Sequence, residues 1–317
     1  PHWLNWNFTG YDQKDDWSDI TNLYSGLNQL EPGRIMWEPN SDLNKYGTPM
    51  VLMTIPMFTN HESVEGLYFD SSITTPFHFV TVSGVAESPS NPVGGLSYIN
   101  GDFDRGVRYM KELGVDYFIS YTDSITDKAI MSDELENLFH SSPFTVFKIY
   151  SDKVQVVDAE VVNFNQPELV ERISNSIFKQ EKTDSFFNLA MKEFKLDNKK
   201  RIIEGIDTEE SQIQNRIPGK KSEINNVRIS NNEITFETDH PNELHIVKVS
   251  YFPNWKIENG SGPYRLSPSF MGVIPYSNEV SITFENTSLE KSLNIISLII
   301  FLLTAYLLVF RIKKYAE

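Results

Sequence analysis

The sequence predicts an α+β protein with an N-terminal α/β domain, a short helical segment, a C-terminal β-sandwich-like domain and one C-terminal transmembrane helix. Three observations carry this prediction. A helix–glycine–strand pattern lies in the first half of the chain, short strand-like apolar runs follow residue 226, and an uncharged apolar run lies near the end. The predicted ranges are 1–160 for the α/β domain, 161–222 for the helical segment and polar linker, 223–288 for the sandwich, 289–312 for the transmembrane helix and 313–317 for a cytoplasmic tail.

The α/β domain is predicted from one helix and the strand after it. Phe103, Val107 and Met110 share a face at helical spacing. Gly114 follows, and glycine suits the left-handed conformation that ends many helices. The apolar stretch 115–121 then predicts a buried strand, which makes an α/β layer. Two further strands and one short helix are predicted at 144–150, 154–157 and 133–139.

The second half of the chain contains two different hydrophobic patterns, one helical and one strand-like. Apolar stripes at helical spacing between residues 167 and 194 predict the helical segment, and the charged stretch 196–222 predicts the linker. Beyond the linker, short apolar runs separated by Asn, Pro and Gly predict a small β-sandwich. The predicted strands are 227–229, 234–237, 244–251, 270–274 and 280–284.

Residues 293–310 predict the membrane span, since they carry no charge. A run of about 18 or more such residues is long enough to cross a bilayer core. Arg311, Lys313 and Lys314 follow directly. The positive-inside rule therefore predicts a cell-membrane protein with its bulk extracytoplasmic and its C-terminus in the cytoplasm.

The net charge and the cysteine content of the chain limit the classes of partner and of chemistry. A net charge of −15 argues against a nucleic-acid surface and against broad docking on anionic lipid headgroups. The apolar run 293–310 makes the lipid bilayer the predicted partner. The absence of cysteine removes disulfides, thiolate metal ligands and cysteine nucleophiles, and it favours a prokaryotic envelope protein. The sequence names no cofactor.

The first residues predict that more of the protein lies upstream. They contain no signal-peptide pattern, although an extracytoplasmic domain needs an export signal. Trp3, Trp6, Phe8 and Tyr11 are aromatic residues of the kind found at membrane interfaces, with an aromatic-rich loop as the alternative. These features predict the C-terminal portion of a polytopic membrane protein.

Glu38 is the first of three candidate catalytic carboxylates. It follows a strand-like apolar run, next to Trp37, a candidate ligand-binding residue. A buried carboxyl group of this kind suits general acid–base chemistry. A structural ion pair with Arg34 is the alternative.

Glu65 and Asp70 are the other two candidate catalytic carboxylates. With His61, a candidate ligand-binding residue, they could form an acid–base or metal-binding group. The spacing matches no metal motif, so no metal is predicted, and a polar surface loop is the alternative. Trp255 is the third ligand-binding candidate, because an exposed tryptophan can stack on a sugar ring; core packing is its alternative.

Several short motifs carry a resemblance to a known family. They are Gly-Arg-Ile-Met-Trp-Glu at 33–38, Tyr-Gly-Thr-Pro at 46–49, Glu-Gly-Leu-Tyr-Phe-Asp-Ser-Ser at 65–72, Leu-Gly-Val-Asp-Tyr at 113–117 and Tyr-Phe-Pro-Asn-Trp at 251–255. The first four, in this order, resemble the large prokaryotic membrane proteins known as 6-pyruvoyl-tetrahydropterin synthase-related. The last motif and the terminal helix also resemble the end of YfhO-like proteins. Both groups share a general plan with GT-C glycosyltransferases.

The resemblance implies an extracytoplasmic C-terminal part of a polytopic, glycosyltransferase-like protein that handles glycans or lipid-linked sugars. In GT-C enzymes the catalytic carboxylate lies in an early loop between membrane helices, so no catalytic residue carries over to this sequence. The metal-binding histidine pattern of the synthase is absent, so pterin chemistry is not implied. Asp70 stands where the family has a glutamate.

Three functional hypotheses follow. The first is a glycan-related or lipid-linked-sugar-related portion of an envelope protein without a complete active site of its own. The second is an envelope hydrolase or transferase with its own carboxylate or metal site, and the third is a structural or interaction domain. Convergence of Glu38, Glu65 and Asp70 to within about 5 Å would favour the second.

Overall fold

A computed structural model of the chain describes residues 2–14, 16–66, 74–161, 190–192, 194, 200–204 and 223–316. It confirms the α+β class, with three β-sheets and a long apolar helix at the C-terminal end. The helices are α1 (His2–Phe8), α2 (Trp17–Leu27), α3 (Ile55–Phe58), α4 (Thr75–Val85), α5 (Phe103–Glu112), α6 (Asp123–Ile130) and α7 (Ser288–Ala316). Short 3-10 helices occupy Tyr11–Gln13, Ser41–Tyr46 and Val51–Thr54.

The first sheet has five strands in the order β2-β1-β3-β5-β4. Strand β1 is parallel to β2 and β3, whereas β5 is antiparallel to both β3 and β4. The strands are β1 (Arg34–Trp37), β2 (Glu62–Ser63), β3 (Tyr117–Ser120), β4 (Leu135–Ser141) and β5 (Phe144–Ile149).

One predicted helix is wrong: the stretch 133–139 contributes to β4 instead. Its Asp, Glu and Leu residues suit a helix locally, but their backbone groups pair with β5 along a hairpin. Leu135 is buried by that pairing. Tertiary pairing therefore overrides a weak helical propensity.

The second and third sheets have the orders β12-β15-β10-β9 and β6-β11-β14-β13-β8-β7. All five strands predicted after residue 226 are present, and β12 and β13 were missed because they are short or rich in Gly and Pro. The strands are β6 (Val154–Val156), β7 (Asp158–Val161), β8 (Lys200–Glu204), β9 (Ile224–Ile229), β10 (Glu233–Thr238), β11 (His245–Ser250), β12 (Trp255–Ile257), β13 (Gly260–Leu266), β14 (Phe270–Pro275) and β15 (Glu279–Phe284).

The strand pairing bears on the predicted domain limits. Strands β6 and β7 join the six-stranded sheet, so a boundary at residue 160 falls inside β7. Strand β8 lies in the stretch that was predicted as a linker. Of the predicted helical segment, residues 190–192 are helical, and most of the remainder lies outside the described residues. The division into folding units stays a prediction.

The six-stranded sheet is buried on both faces. Ile246 and Phe270 pack in one cluster with α4, α5 and the first sheet. Their chain neighbours Val247 and Met271 pack in a second cluster against the four-stranded sheet. Successive residues of a strand point to opposite faces, so both faces need apolar residues. The α/β layers and the sandwich therefore share a continuous hydrophobic core.

The C-terminal end of α5 joins these layers. The last carbonyl groups of a helix lack partners within the helix. Here Arg34 Nη1 donates to the Leu113 carbonyl at 2.8 Å, Lys248 Nζ donates to the Lys111 carbonyl at 2.7 Å, and Lys153 Nζ donates to the Gly114 carbonyl. Arg34 Nη1 also donates to the Lys248 carbonyl at 2.8 Å. Three cations from separate segments therefore converge on one helix end, which we call the α5 junction.

Helix α7 is suited to cross a membrane. Its stretch Ser288–Leu308 has 21 residues with a mean hydropathy of 1.9, and none of that stretch is buried. At about 1.5 Å per residue, such a length matches a hydrocarbon core of about 30 Å. An exposed apolar surface of this size requires a covering, which suggests membrane anchoring.

We expect Gly114→Ala to destabilise the protein by about 1–2 kcal/mol, because Gly114 has φ of +68° and alanine is strained there. The new Cβ would also lie 3.1 Å from Arg34 Nη1 and 3.3 Å from Lys248 Cδ. Urea denaturation in detergent measures the loss. Gly94→Ala is the control, since no atom lies within 4 Å of its Cβ position. Equal midpoints for the two variants would contradict the expectation.

Candidate functional site

Glu38 follows the carboxyl end of β1 and is fully buried. Its Oε2 accepts hydrogen bonds from the backbone N–H groups of Tyr121 and Thr122, each at 2.9 Å. Its Oε1 accepts from Thr122 Oγ1 at 2.8 Å and from the Glu87 N–H at 3.2 Å. Both carboxylate oxygens are thus occupied by protein donors.

The place of Glu38 in the sheet explains this arrangement. Strands β1 and β3 are parallel neighbours, with Trp37 opposite Ile119, and Thr122 caps the N-terminus of α6. In α/β sheets this edge is where ligands commonly bind, and N–H groups at a helix start attract anions. Here the protein's own carboxylate takes those N–H groups. Glu38 therefore fastens β1, the end of α4 and the start of α6 together.

Arg34 is not the partner of Glu38. Its guanidinium makes the carbonyl contacts of the α5 junction and a 3.4 Å ion pair with Glu62. Its backbone N–H donates to Asp116 Oδ2 at 2.6 Å. The two charged residues at the ends of β1 therefore stabilise different junctions, and the Arg34–Glu38 ion pair that was the alternative for Glu38 does not form.

Glu65 pairs with a buried histidine that sequence reasoning did not select. His78, on α4, lies with Nε2 at 3.1 Å from Glu65 Oε2, and its Nδ1 has no hydrogen-bond partner among the described residues. Asp70 lies outside the described residues. Glu38 and Glu65 share no hydrogen-bond partner, and within the described ranges no three His, Cys, Asp or Glu side chains form a group that could hold a metal ion.

The three ligand-binding candidates are all buried. Trp37 packs in the core beside α2. The His61 ring contacts the Leu27 carbonyl through Nε2 at 2.8 Å and the Gly33 N–H through Nδ1 at 3.2 Å, which fits the Nε2–H tautomer. Trp255 is 8% exposed and lies in the sandwich core. Burial does not support a sugar-stacking role for Trp255, and the contacts of the other two are structural.

Two buried lysines with lowered pKa values lie at the α5 junction, which sequence reasoning missed. Burial lowers the pKa of Lys248 to about 8, and burial together with the nearby Arg34 lowers the pKa of Lys153 to about 8. Lys153 is partly compensated by Asp116, whose Oδ2 lies 2.6 Å from its Nζ. The available sequence signal was Lys248 itself, a lysine inside the apolar run of β11. Such clusters occur at functional sites and in structural ion networks alike, and the carbonyl contacts here indicate the latter.

No known protein-family model matches the chain, and comparison with curated proteins and with solved structures gives no significant match.

We expect Glu38→Gln to lower the free energy of unfolding by about 2–4 kcal/mol, because an amide loses the charge and directs N–H donors at other donors. Thermal or urea unfolding in detergent measures the change. Glu87→Gln is the matched control, since the Glu87 side chain is exposed and only its backbone N–H is used. A Glu38→Gln protein as stable as the control would contradict the structural role.

We expect the protein to become more stable between pH 8 and pH 10, because Lys248 has a pKa of about 8 when folded against an ordinary value of 10.5. In that window the unfolded chain binds more protons, so stability increases with pH, by on the order of 2 kcal/mol for this group. The measurement stays below pH 10, since burial raises the pKa of Tyr24 to about 12 and buried tyrosines reverse the sign above pH 10.

Lys248→Met should reduce this pH dependence, and the exposed Lys256→Met should leave it unchanged. Lys153 acts with the same sign, so part of the dependence remains in Lys248→Met. Identical pH profiles for the Lys248 and Lys256 variants would rule out the effect.

Proposed function

We propose that the chain is the extracytoplasmic C-terminal portion of a polytopic cell-envelope membrane protein that takes part in glycan or lipid-linked-sugar handling. On this proposal the chain carries no complete active site. It positions a folded domain beside the membrane, where a substrate attached to a lipid is presented.

The observation that carries the proposal is the exposed apolar helix α7, which follows the sandwich directly. Strand β15 ends at Phe284 and α7 begins at Ser288. The basic residues Arg311, Lys313 and Lys314 lie past the apolar stretch, so the positive-inside rule favours an extracytoplasmic sandwich. A domain fixed this close to a bilayer meets lipid-linked substrates before soluble ones.

The positions of Glu38 and His61 argue against a catalytic role for these two residues. Glu38 has both oxygens occupied, and His61 has both ring nitrogens occupied. A group that is buried and fully hydrogen-bonded cannot reach a substrate without breaking those bonds. The glycan part of the proposal rests on the resemblance to GT-C-like membrane proteins.

One observation favours the alternative of an envelope hydrolase or transferase. The Glu65–His78 pair has the form of a carboxylate that orients a histidine, which is an arrangement of general-base catalysis. If this pair acts in catalysis, His78→Gln should abolish turnover while leaving the unfolding midpoint nearly unchanged. Equal loss of stability and activity would indicate a structural pair instead.

The orientation is tested by cysteine labelling, because the chain has no native cysteine. In intact cells that make the protein, a membrane-impermeant maleimide should label Asn278→Cys, which replaces an exposed residue of the sandwich. Tyr315→Cys, beyond the apolar stretch, should react only after lysis. The reverse pattern would overturn the extracytoplasmic assignment.

The ligand class is tested on the full chain in lipid nanodiscs. Native mass spectrometry should show saturable binding of a polyprenyl-phosphate sugar in preference to the same polyprenyl phosphate without sugar. Equal binding of both would indicate only lipid affinity. No binding of either, or of soluble glycans, would favour a structural or interaction domain.

A further inference from the structure

The connection between the sandwich and α7 is rigid. The Thr287 N–H donates to Glu290 Oε2 at 2.6 Å, and the Glu290 N–H donates to Thr287 Oγ1 at 3.2 Å. This reciprocal pair is a capping box, which satisfies two of the free N–H groups at a helix start. The first turn of α7 is therefore fixed by its own sequence.

A buried asparagine ties that first turn to the sandwich. Asn254 Nδ2 donates to Glu290 Oε2 at 2.8 Å and to the Glu285 carbonyl at 2.9 Å. The Glu285 N–H donates back to the Asn254 carbonyl at 2.9 Å. Asn254 is 3% exposed, so the donor of these bonds is buried, and the Glu290 carboxylate that accepts one of them lies partly exposed at the surface. The helix and the sandwich consequently cannot rotate freely about residues 285–287.

Two exposed phenylalanines lie beside this connection. Phe252 and Phe284 stack with ring centroids 6.0 Å apart and are 54% and 37% exposed. Trp255 supports Phe284 from the core side, edge to face at 5.2 Å. Leu289, on the first turn of α7, is exposed as well. We call Phe252 and Phe284 the aromatic foot.

We propose that the aromatic foot lies in the interface of the bilayer that α7 crosses, so that the sandwich rests on the membrane in one orientation. Phe284 precedes α7 by only four positions, and the Asn254 bonds hold Phe252 beside it. Phenylalanine side chains are stabilised when their apolar rings are buried at the headgroup–acyl boundary, as on the apolar face of interfacial helices. The occupant of this exposed apolar surface is therefore the lipid of the same bilayer.

The far end of the sandwich provides an internal comparison. Tyr276 is 52% exposed, close to the value of Phe252. It precedes β15, whose residues 279 to 284 extend over about 17 Å at about 3.3 Å per residue. The foot and Tyr276 therefore lie near opposite ends of β15, and only the foot is next to α7.

The test uses single-cysteine variants of the full chain, each carrying a nitroxide spin label, in phosphatidylcholine–phosphatidylglycerol vesicles. Phe252→Cys and Pro253→Cys report on the foot, and the latter keeps Phe252 in place. Tyr276→Cys reports on the far end, and Ile300→Cys reports on the middle of α7. Power saturation with oxygen and with a water-soluble nickel chelate gives the depth of each label.

We expect the labels at 252 and 253 to favour oxygen over the nickel chelate several-fold more than the label at 276 does. Labels at 252 and 253 that are as accessible to nickel as the label at 276 would overturn the aromatic foot. The inference rests on the proposed membrane anchoring, which the label at 300 tests separately. If the label at 300 lies in lipid and the labels at 252 and 253 lie in water, only the aromatic foot is rejected. If the label at 300 lies in water, both the aromatic foot and the membrane anchoring are rejected.

The rigid connection is tested by Asn254→Ala in the Pro253→Cys background. Loss of the Asn254 bonds should shift the 253 label towards water and sharpen its spectrum, because the sandwich then moves relative to α7. Asn278→Ala is the control, since its side chain bonds to the Thr238 carbonyl at the far end. If Asn254→Ala leaves the spectrum of the 253 label unchanged, the Asn254 hydrogen bonds do not fix the sandwich relative to α7.

Discussion

The structure depends on the hydrogen bonds that three cations make with the C-terminal end of α5. Buried carbonyl groups at a helix end must find donors. The turn after α5 supplies some of them, since the Gly114 N–H donates to the Lys111 carbonyl and the Val115 N–H donates to the Met110 carbonyl, each at 3.0 Å, and the three cations supply others. Arg34, Lys153 and Lys248 come from β1, from the stretch before β6 and from β11, so the donors arrive only when the first sheet and the six-stranded sheet are both in place. The hydrogen bonds at the end of α5 therefore form only when the sandwich packs against the α/β layers. The hydrophobic core around α4 and α5 contributes the apolar contacts between the same two sheets.

This arrangement uses most of the polar residues that would otherwise suggest chemistry. Strand β1 has a charged residue at its start, Arg34, and another just past its end, Glu38, and each is saturated by hydrogen bonds to a different junction. The accessible features lie elsewhere, at the connection between the sandwich and α7. There a buried asparagine and a capping box hold the first turn of α7, and the exposed rings of Phe252 and Phe284 lie beside them.

Local patterns predicted those parts of the fold that local forces decide. The stripe Phe103, Val107, Met110 and the following Gly114 predicted α5, because the face and the left-handed C-terminal position are both properties of a few adjacent residues. The stretch 133–139 was mistaken for a helix because its partner strand lies beyond it in the sequence. The candidate site was predicted only in part. Glu38 follows a strand, as the apolar run before it predicted, but its donors at 87, 121 and 122 are set by the meeting of three separate elements.

The sequence by itself determined the α+β class, most of the strands after residue 226 and the apolar helix near the C-terminal end, since hydrophobic periodicity and length are local quantities. Only the tertiary structure decided that Trp37, His61 and Trp255 are buried, that Arg34 serves α5 instead of Glu38, and that Lys248 is a buried cation with a lowered pKa. Each of these depends on which distant segments are brought into contact. Burial and hydrogen-bond saturation are properties of that contact and not of the residue type.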